Sequence, residues 1–123
     1  MDIPCKLYFY WMIDNIIDNR YLKIGITTQE LEVRFQQERN KWDAGRYTFD
    51  YHNDFKNFPS VQDAKKHEEA IKWRLRNFLP ENLCDINGKR RTEYFIDNNK
   101  EASEICDKYL YENTIITDEP DER

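Results

Sequence analysis

Residues 6–27 read Lys6-Leu7-Tyr8-Phe9-Tyr10-Trp11-Met12-Ile13-Asp14-Asn15-Ile16-Ile17-Asp18-Asn19-Arg20-Tyr21-Leu22-Lys23-Ile24-Gly25-Ile26-Thr27. The first eight are rich in aromatics, which favour a pleated, half-buried strand. On a strand, Leu7, Phe9, Trp11 and Ile13 share one face and Tyr8, Tyr10 and Met12 the other. Asp14 to Asn19 carries Asn and Asp at both ends and reads as a hairpin loop. Tyr21 to Ile26 is the return strand, in which Leu22, Ile24 and Ile26 alternate with Lys23 and Gly25. A glycine inside a strand marks a place where something approaches the backbone closely.

Beyond the hairpin, Thr27-Thr28-Gln29-Glu30 has the spacing of a capping box and predicts a helix from there to about Trp42. Leu31, Phe35 and Trp42 form its apolar stripe, and Arg34 lies roughly 60° from the stripe's centre at about 100° per residue. Arg46 to His52 reads as a third strand and Phe55 to Pro59 as a loop. Ser60-Val61-Gln62-Asp63 is a second capping box, opening a helix whose face is Ala64, Ile71, Leu75 and Phe78. Glu68 falls about 40° from the centre of that face and Glu69 about 140° away. A carboxylate at the edge of an apolar face needs a partner, because charge is normally kept in water. Pro80 stops the helix, Gly88-Lys89-Arg90-Arg91 is a basic turn, and Thr92 to Ile96 is a short strand. Glu101 to Tyr111 is a last amphipathic helix, packing through Ile105, Tyr109 and Leu110. The order β-β-α-β-α-β-α predicts an α+β fold with a small, mainly antiparallel sheet of three to four strands flanked by helices.

The 123 residues suffice for one domain, expected over 1–112, with an acidic tail over 113–123 that lacks the composition to fold. No apolar run reaches the ~18 residues of a membrane span, and Met1-Asp2-Ile3-Pro4 lacks the basic, then apolar pattern of a signal peptide. Cys5, Cys84 and Cys106 form no CxxC pair, so reduced thiols and a cytoplasmic setting are expected. The net charge of −5 does not favour a polyanionic partner globally. Thr114 to Arg123 carries four acids and one base, so −3 of it sits there and −2 elsewhere. A nucleic-acid ligand therefore needs a local basic patch.

Tyr8-Phe9-Tyr10, then Lys23-Ile24-Gly25-Ile26-Thr27, then Arg34 seven residues on, resemble the motifs of the GIY-YIG nuclease superfamily. Glu68 matches, by its facing, that family's helix glutamate. Gly88-Lys89-Arg90-Arg91-Thr92-Glu93-Tyr94-Phe95 resembles the closing G-x-x-x-E-[WY]-F motif of a phage- and virus-associated branch that also uses KIG. Tyr8 stands where the family has Gly, and Lys23 where much of it has Tyr. The resemblance covers residues 6–97 and implies a metal-dependent DNA endonuclease.

Under that resemblance Tyr10 or Tyr8 is the general base and Arg34 stabilises the phosphorane charge. Lys23 lowers the Tyr10 pKa or holds a phosphate, and Glu68 binds Mg²⁺ or another divalent metal. Lys89, Arg90 and Arg91, joined by Lys65, Lys66, Lys72, Arg74 and Arg76, form a phosphate-contacting patch. His52 and Glu93 are further candidates. The partner is nucleic acid, DNA before RNA, with a homodimer or protein partner allowed. If the source is viral, the setting is the host cytosol or nucleus.

Each of these residues also has a plainer role. Tyr8 and Tyr10 pack, Arg34 snorkels over the core, Glu68 pairs with Lys72 at i+4, and Glu93 pairs with Arg90 or Arg91. With those roles the same fold is a catalytically degenerate module that binds nucleic acid or protein.

Overall fold

In a computed structural model of the chain, residues 3–115 are described, except the side chains at 52–54 and 114–115. His52 and most of the acidic tail therefore lie outside the described parts. The element order is β1 (Cys5–Asp14), β2 (Asn19–Thr27), α1 (Leu31–Arg39), β3 (Tyr47–Phe58), α2 (Val61–Arg74), β4 (Tyr94–Ile96) and α3 (Glu101–Leu110). A 3₁₀ turn, Arg76–Phe78, follows α2, and a π-helical turn, Tyr111–Ile115, follows α3.

The strands form one antiparallel sheet in the order β3-β1-β2-β4. The α+β class and four-stranded sheet agree with the sequence reading. Both faces of the two central strands are covered. Leu7, Phe9, Leu22 and Ile24 pack against Ala64, Ile71 and Leu75 of α2 and Ala102, Cys106 and Tyr109 of α3. On the opposite face Tyr8, Tyr10, Met12 and Tyr21 pack with Phe35, Trp42, Tyr47, Leu83 and Tyr94. The strict alternation read from β1 is thus an alternation between two cores rather than between core and water. The second core is an aromatic cage, with Phe35 edge-on to both Tyr8 (5.5 Å) and Tyr10 (5.3 Å).

Several boundaries differ from the sequence reading, among them the end of α2, which closes at Arg74 rather than at Pro80 and leaves Phe78 in the 3₁₀ turn. Thr27 is not a helix cap: it stays paired with Lys6 in the β1–β2 ladder, and its hydroxyl accepts from the Gln29 amide at 3.0 Å. The helix starts four residues later, behind an extended Glu30 that makes no side-chain cap. At its other end α1 closes at Arg39, and the Lys41 and Trp42 amides turn back in i→i−3 bonds to Glu38 and Arg39. Residues 55–58 are strand, not loop, because the β1–β3 ladder resumes at Tyr8↔Phe55 after a register shift.

The second capping box behaves as read. Ser60 is the N-cap of α2, and its hydroxyl accepts from the Asp63 amide at 3.1 Å. Ala64, Ile71 and Leu75 are fully buried, Glu68 is buried, and Glu69 is exposed. Cys5, Cys84 and Cys106 are free, as expected. Among the described residues no helix is long and apolar enough to cross a membrane. Because α2 sets the height of Glu68 against the sheet, its cap is a direct handle on stability. Ser60→Ala is expected to lower the unfolding free energy by about 1 kcal/mol in urea titration, with Ser60→Asp close to wild type.

Candidate functional site

The sheet register assembles the site. Tyr8 lies opposite Gly25 across β1 and β2, and Tyr10 lies opposite Lys23. Lys23 in turn lies opposite Tyr94 of β4. A Cβ built on Gly25 would overlap the Tyr8 ring, with Cζ only 2.6 Å away. Gly25 is therefore the position that lets the phenol lie flat across the strand, which is the close approach its place in the sequence foretold.

Tyr8 is fully buried, and its hydroxyl accepts a hydrogen bond from Arg34 Nε at 3.3 Å. Burial pushes the Tyr8 phenol up to about 12, against the opposing pull of Arg34. The negative charges of Glu38 and Glu68 both act on that hydroxyl in the same direction as burial. Glu68 is 8% exposed, pairs with Lys72 at 3.4 Å, and also acts on the Cys5 thiol of β1. Tyr8 and Arg34, from β1 and α1, are thus in direct contact, whereas Glu68, on the helix that covers the opposite face, acts on Tyr8 only through its charge. The Glu68–Lys72 pair of the plainer reading is present as well.

Tyr10 and Lys23 face a different, inner network. The Tyr10 and Tyr94 hydroxyls are 2.7 Å apart. Tyr94 donates to Glu38 Oε1 at 3.3 Å, so the Tyr10 proton points at Tyr94 rather than outward. Burial holds the Tyr10 phenol well above its ordinary value, with Tyr94 adding to the shift. Lys23 is 2% exposed and bonds Glu93 Oε2 at 3.1 Å. Burial lowers its pKa to about 8, although Glu93 and Glu38 pull it up. Neither residue offers its head group to a ligand in this arrangement.

Glu38 is the member that sequence reading missed. It is 1% exposed, with Arg91 at 2.7 Å and Arg34 and Lys41 at 3.4 Å. Burial alone would raise its carboxyl, but Lys23 and the Arg91 hydrogen bond outweigh it and hold the pKa below the usual range. A signal was available: Glu38 lies three residues after Phe35 and four before Trp42, on the apolar stripe itself, and four after Arg34.

Arg91 corrects the expected basic patch. Its guanidinium is 5% exposed and bonded to Glu38, Glu93 (2.6 Å) and Asp85 (3.4 Å), so it is a structural cation. Only Lys89 and Arg90 of that turn are exposed. The turn itself depends on Gly88, whose φ of 79° suits glycine. Glu93 pairs with Arg91 and Lys23, not Arg90, and those cations depress its pKa strongly against burial.

Among the described residues no three His, Cys, Asp or Glu side chains gather as a metal cage. A single carboxylate such as Glu68 fits a hard cation held otherwise by water and a substrate phosphate, as Mg²⁺ is, rather than zinc or calcium. A cavity of about 390 Å³ is lined by Phe9, Trp11, Leu22 and Cys106, among others, and contains none of these groups.

Together the antiparallel sheet and its covering helices define a small α+β domain. The particular family is the T5orf172 domain family, to which the chain belongs: the match spans residues 7–110, from the start of β1 to the end of α3. This is a phage-associated, nuclease-like domain, and its role is nuclease-like or DNA-binding, with nucleic acid as the class of partner. No curated protein and no solved structure matches the chain.

The Glu38 cluster gives a stability test. Glu38→Gln leaves Arg91 buried without one of its two close carboxylates and is expected to cost about 3–5 kcal/mol at neutral pH. Because the folded Glu38 pKa is depressed, this contribution is present above the unfolded value of 4.5 and lost as pH falls through the folded one. The gap between wild type and Glu38→Gln in denaturant titrations should therefore narrow as pH drops below about 4.5. A gap that is constant with pH would show that the carboxylate's charge is not what matters.

Proposed function

We propose that this domain is a metal-dependent endonuclease of the GIY-YIG type, hydrolysing DNA phosphodiester bonds, with Tyr8 rather than Tyr10 as the base. The observation that carries the reading is the Tyr8 hydroxyl held by Arg34 Nε at 3.3 Å over Gly25. Tyr10 is assigned a supporting part because its proton is directed to Tyr94. Lys23 likewise steadies Glu93.

The reaction needs a water deprotonated, the pentavalent phosphorus relieved of charge and the leaving oxygen neutralised. Arg34 is partly exposed and carries five donors, so a phosphate can draw its fork away from Tyr8 and Glu38. That movement uncovers the Tyr8 oxygen as the phosphate arrives; as the phenolate, its own proton having passed to solvent, Tyr8 takes the proton of the attacking water, and the leaving alkoxide is protonated by solvent. Arg34 then stabilises the charge that builds on the equatorial oxygens. Glu68 would hold Mg²⁺ or a similar divalent ion, which supplies Lewis acidity to the phosphate and a positive charge that lowers the Tyr8 pKa. Without that charge a phenol near 12 is almost wholly protonated at neutral pH and leaves little phenolate to act as base.

The same raised phenol and its burial favour the second reading, a degenerate module that binds nucleic acid without cutting it. Plasmid nicking separates the two. Wild type is expected to nick supercoiled DNA in Mg²⁺ or Mn²⁺ and not in chelator, at a rate that rises with pH across the neutral range. Arg34→Ala and Tyr8→Phe should each lose roughly 10²–10³-fold, with Glu68→Gln at least as impaired and Tyr10→Phe affected much less. DNA binding with no metal-dependent nicking in wild type would establish the binding module instead.

A further inference from the structure

Trp73 is unusual on this surface. It stands on the last turn of α2 with its indole 64% exposed. Of the other exposed apolar side chains, Tyr111 and Phe55 are aromatic and the rest, such as Ile16 and Ile17 in the β1–β2 turn, are aliphatic. Arg76 is held over the indole, its Cζ 3.9 Å from the ring centroid, and donates to the Trp73 carbonyl at 2.7 Å. The guanidinium is thereby fixed in place by the helix end before any ligand arrives. Arg74, beside it, stacks over Tyr109 at 4.7 Å.

The charge here runs against the rest of the chain. Ala70 to Leu79 contains Lys72, Arg74 and Arg76 and no acid, in a protein whose net charge is −5. Among the described residues neither Arg74 nor Arg76 has a carboxylate in ion-pair reach, whereas Lys65 and Lys72 are paired with Glu69 and Glu68. An exposed aromatic with uncompensated arginines is what a strand of nucleic acid needs: a π-face for a base and cations for the backbone.

The position is also apt. Trp73 lies five residues beyond Glu68, about 7.5 Å along the helix axis at ~1.5 Å per residue. It faces about 140° away from Glu68 around the axis, and Lys72, about 40° from Glu68, lies on the path between them. A strand leaving a phosphate at Glu68 would cross Lys72 and bring a base onto the indole.

We infer that Trp73 and Arg76 form a stacking platform for an unpaired base of a nucleic-acid strand flanking the site, a role distinct from the chemistry at Tyr8, Arg34 and Glu68. The inference rests on the nucleic-acid reading of the preceding section. It is tested by fluorescence anisotropy of a labelled single strand of about ten nucleotides. Binding is measured in the Glu68→Gln background, so that the strand stays intact, with and without Trp73→Ala. The expected result is a rise in Kd of roughly 5- to 150-fold for Trp73→Ala, with an unchanged melting temperature because the side chain is exposed. Arg76→Gln should weaken binding less and reduce the salt slope by about 1.

A Kd unchanged by Trp73→Ala while the strand still binds overturns the platform and leaves the nuclease reading standing. No strand binding by the Glu68→Gln protein overturns both. Loss of self-association in Trp73→Ala, seen by sedimentation with no change in strand binding, makes a second copy of the chain the occupant and likewise overturns it.

Discussion

Glu38 is a single buried carboxylate on which three cations and a phenol converge. Arg34, Lys41 and Arg91 lie within 2.7–3.4 Å of its oxygens, and Tyr94 donates to it at 3.3 Å. A charge taken out of water costs several kcal/mol unless its partners are well placed, so this one constrains everything around it. It anchors Arg91, which holds Glu93 and through it Lys23 of β2. It restrains Arg34 on its own helix, and Arg34 reaches the Tyr8 hydroxyl. The aromatic core on that face of the sheet is thus organised around an ionic centre, not only by apolar area.

That centre links stability to chemistry. Arg34 has two partners inside the protein, the Glu38 carboxylate and the Tyr8 hydroxyl, and is partly exposed on its other side. A phosphate, with its greater charge, competes for the same fork. While Glu38 keeps Lys41 and Arg91, it remains neutralised when Arg34 turns outward. Tyr10, Lys23 and Tyr94 form the rigid floor beneath, where hydrogen bonds and burial keep the two phenols protonated at neutral pH.

The sheet and most helices were legible because their signals are local. Alternating aromatics in β1, the glycine of β2 and the Ser60 box each state a requirement of their own backbone. The start of α1 was misplaced because Thr27 satisfies its hydroxyl within two residues while its backbone stays in the ladder, and spacing alone cannot separate the two uses. Gly25, Arg34 and Glu68 could be found from position and facing. The choice between Tyr8 and Tyr10 could not, because it depends on which hydroxyl a residue 84 positions away captures. Arg91 looked like surface charge because three like residues in a turn read alike, and only the fold reveals the carboxylates waiting for one of them.

The central claim is that Tyr8 and Arg34 act as one unit on a phosphate. A double-mutant cycle on single-turnover DNA cleavage in Mg²⁺, with Tyr8→Phe, Arg34→Ala and the pair, tests it most directly. If the two share one step, the double variant loses no more than the worse single variant. Losses that multiply would mean two independent effects, and cleavage that survives in either single variant at the wild-type rate would contradict the assignment outright.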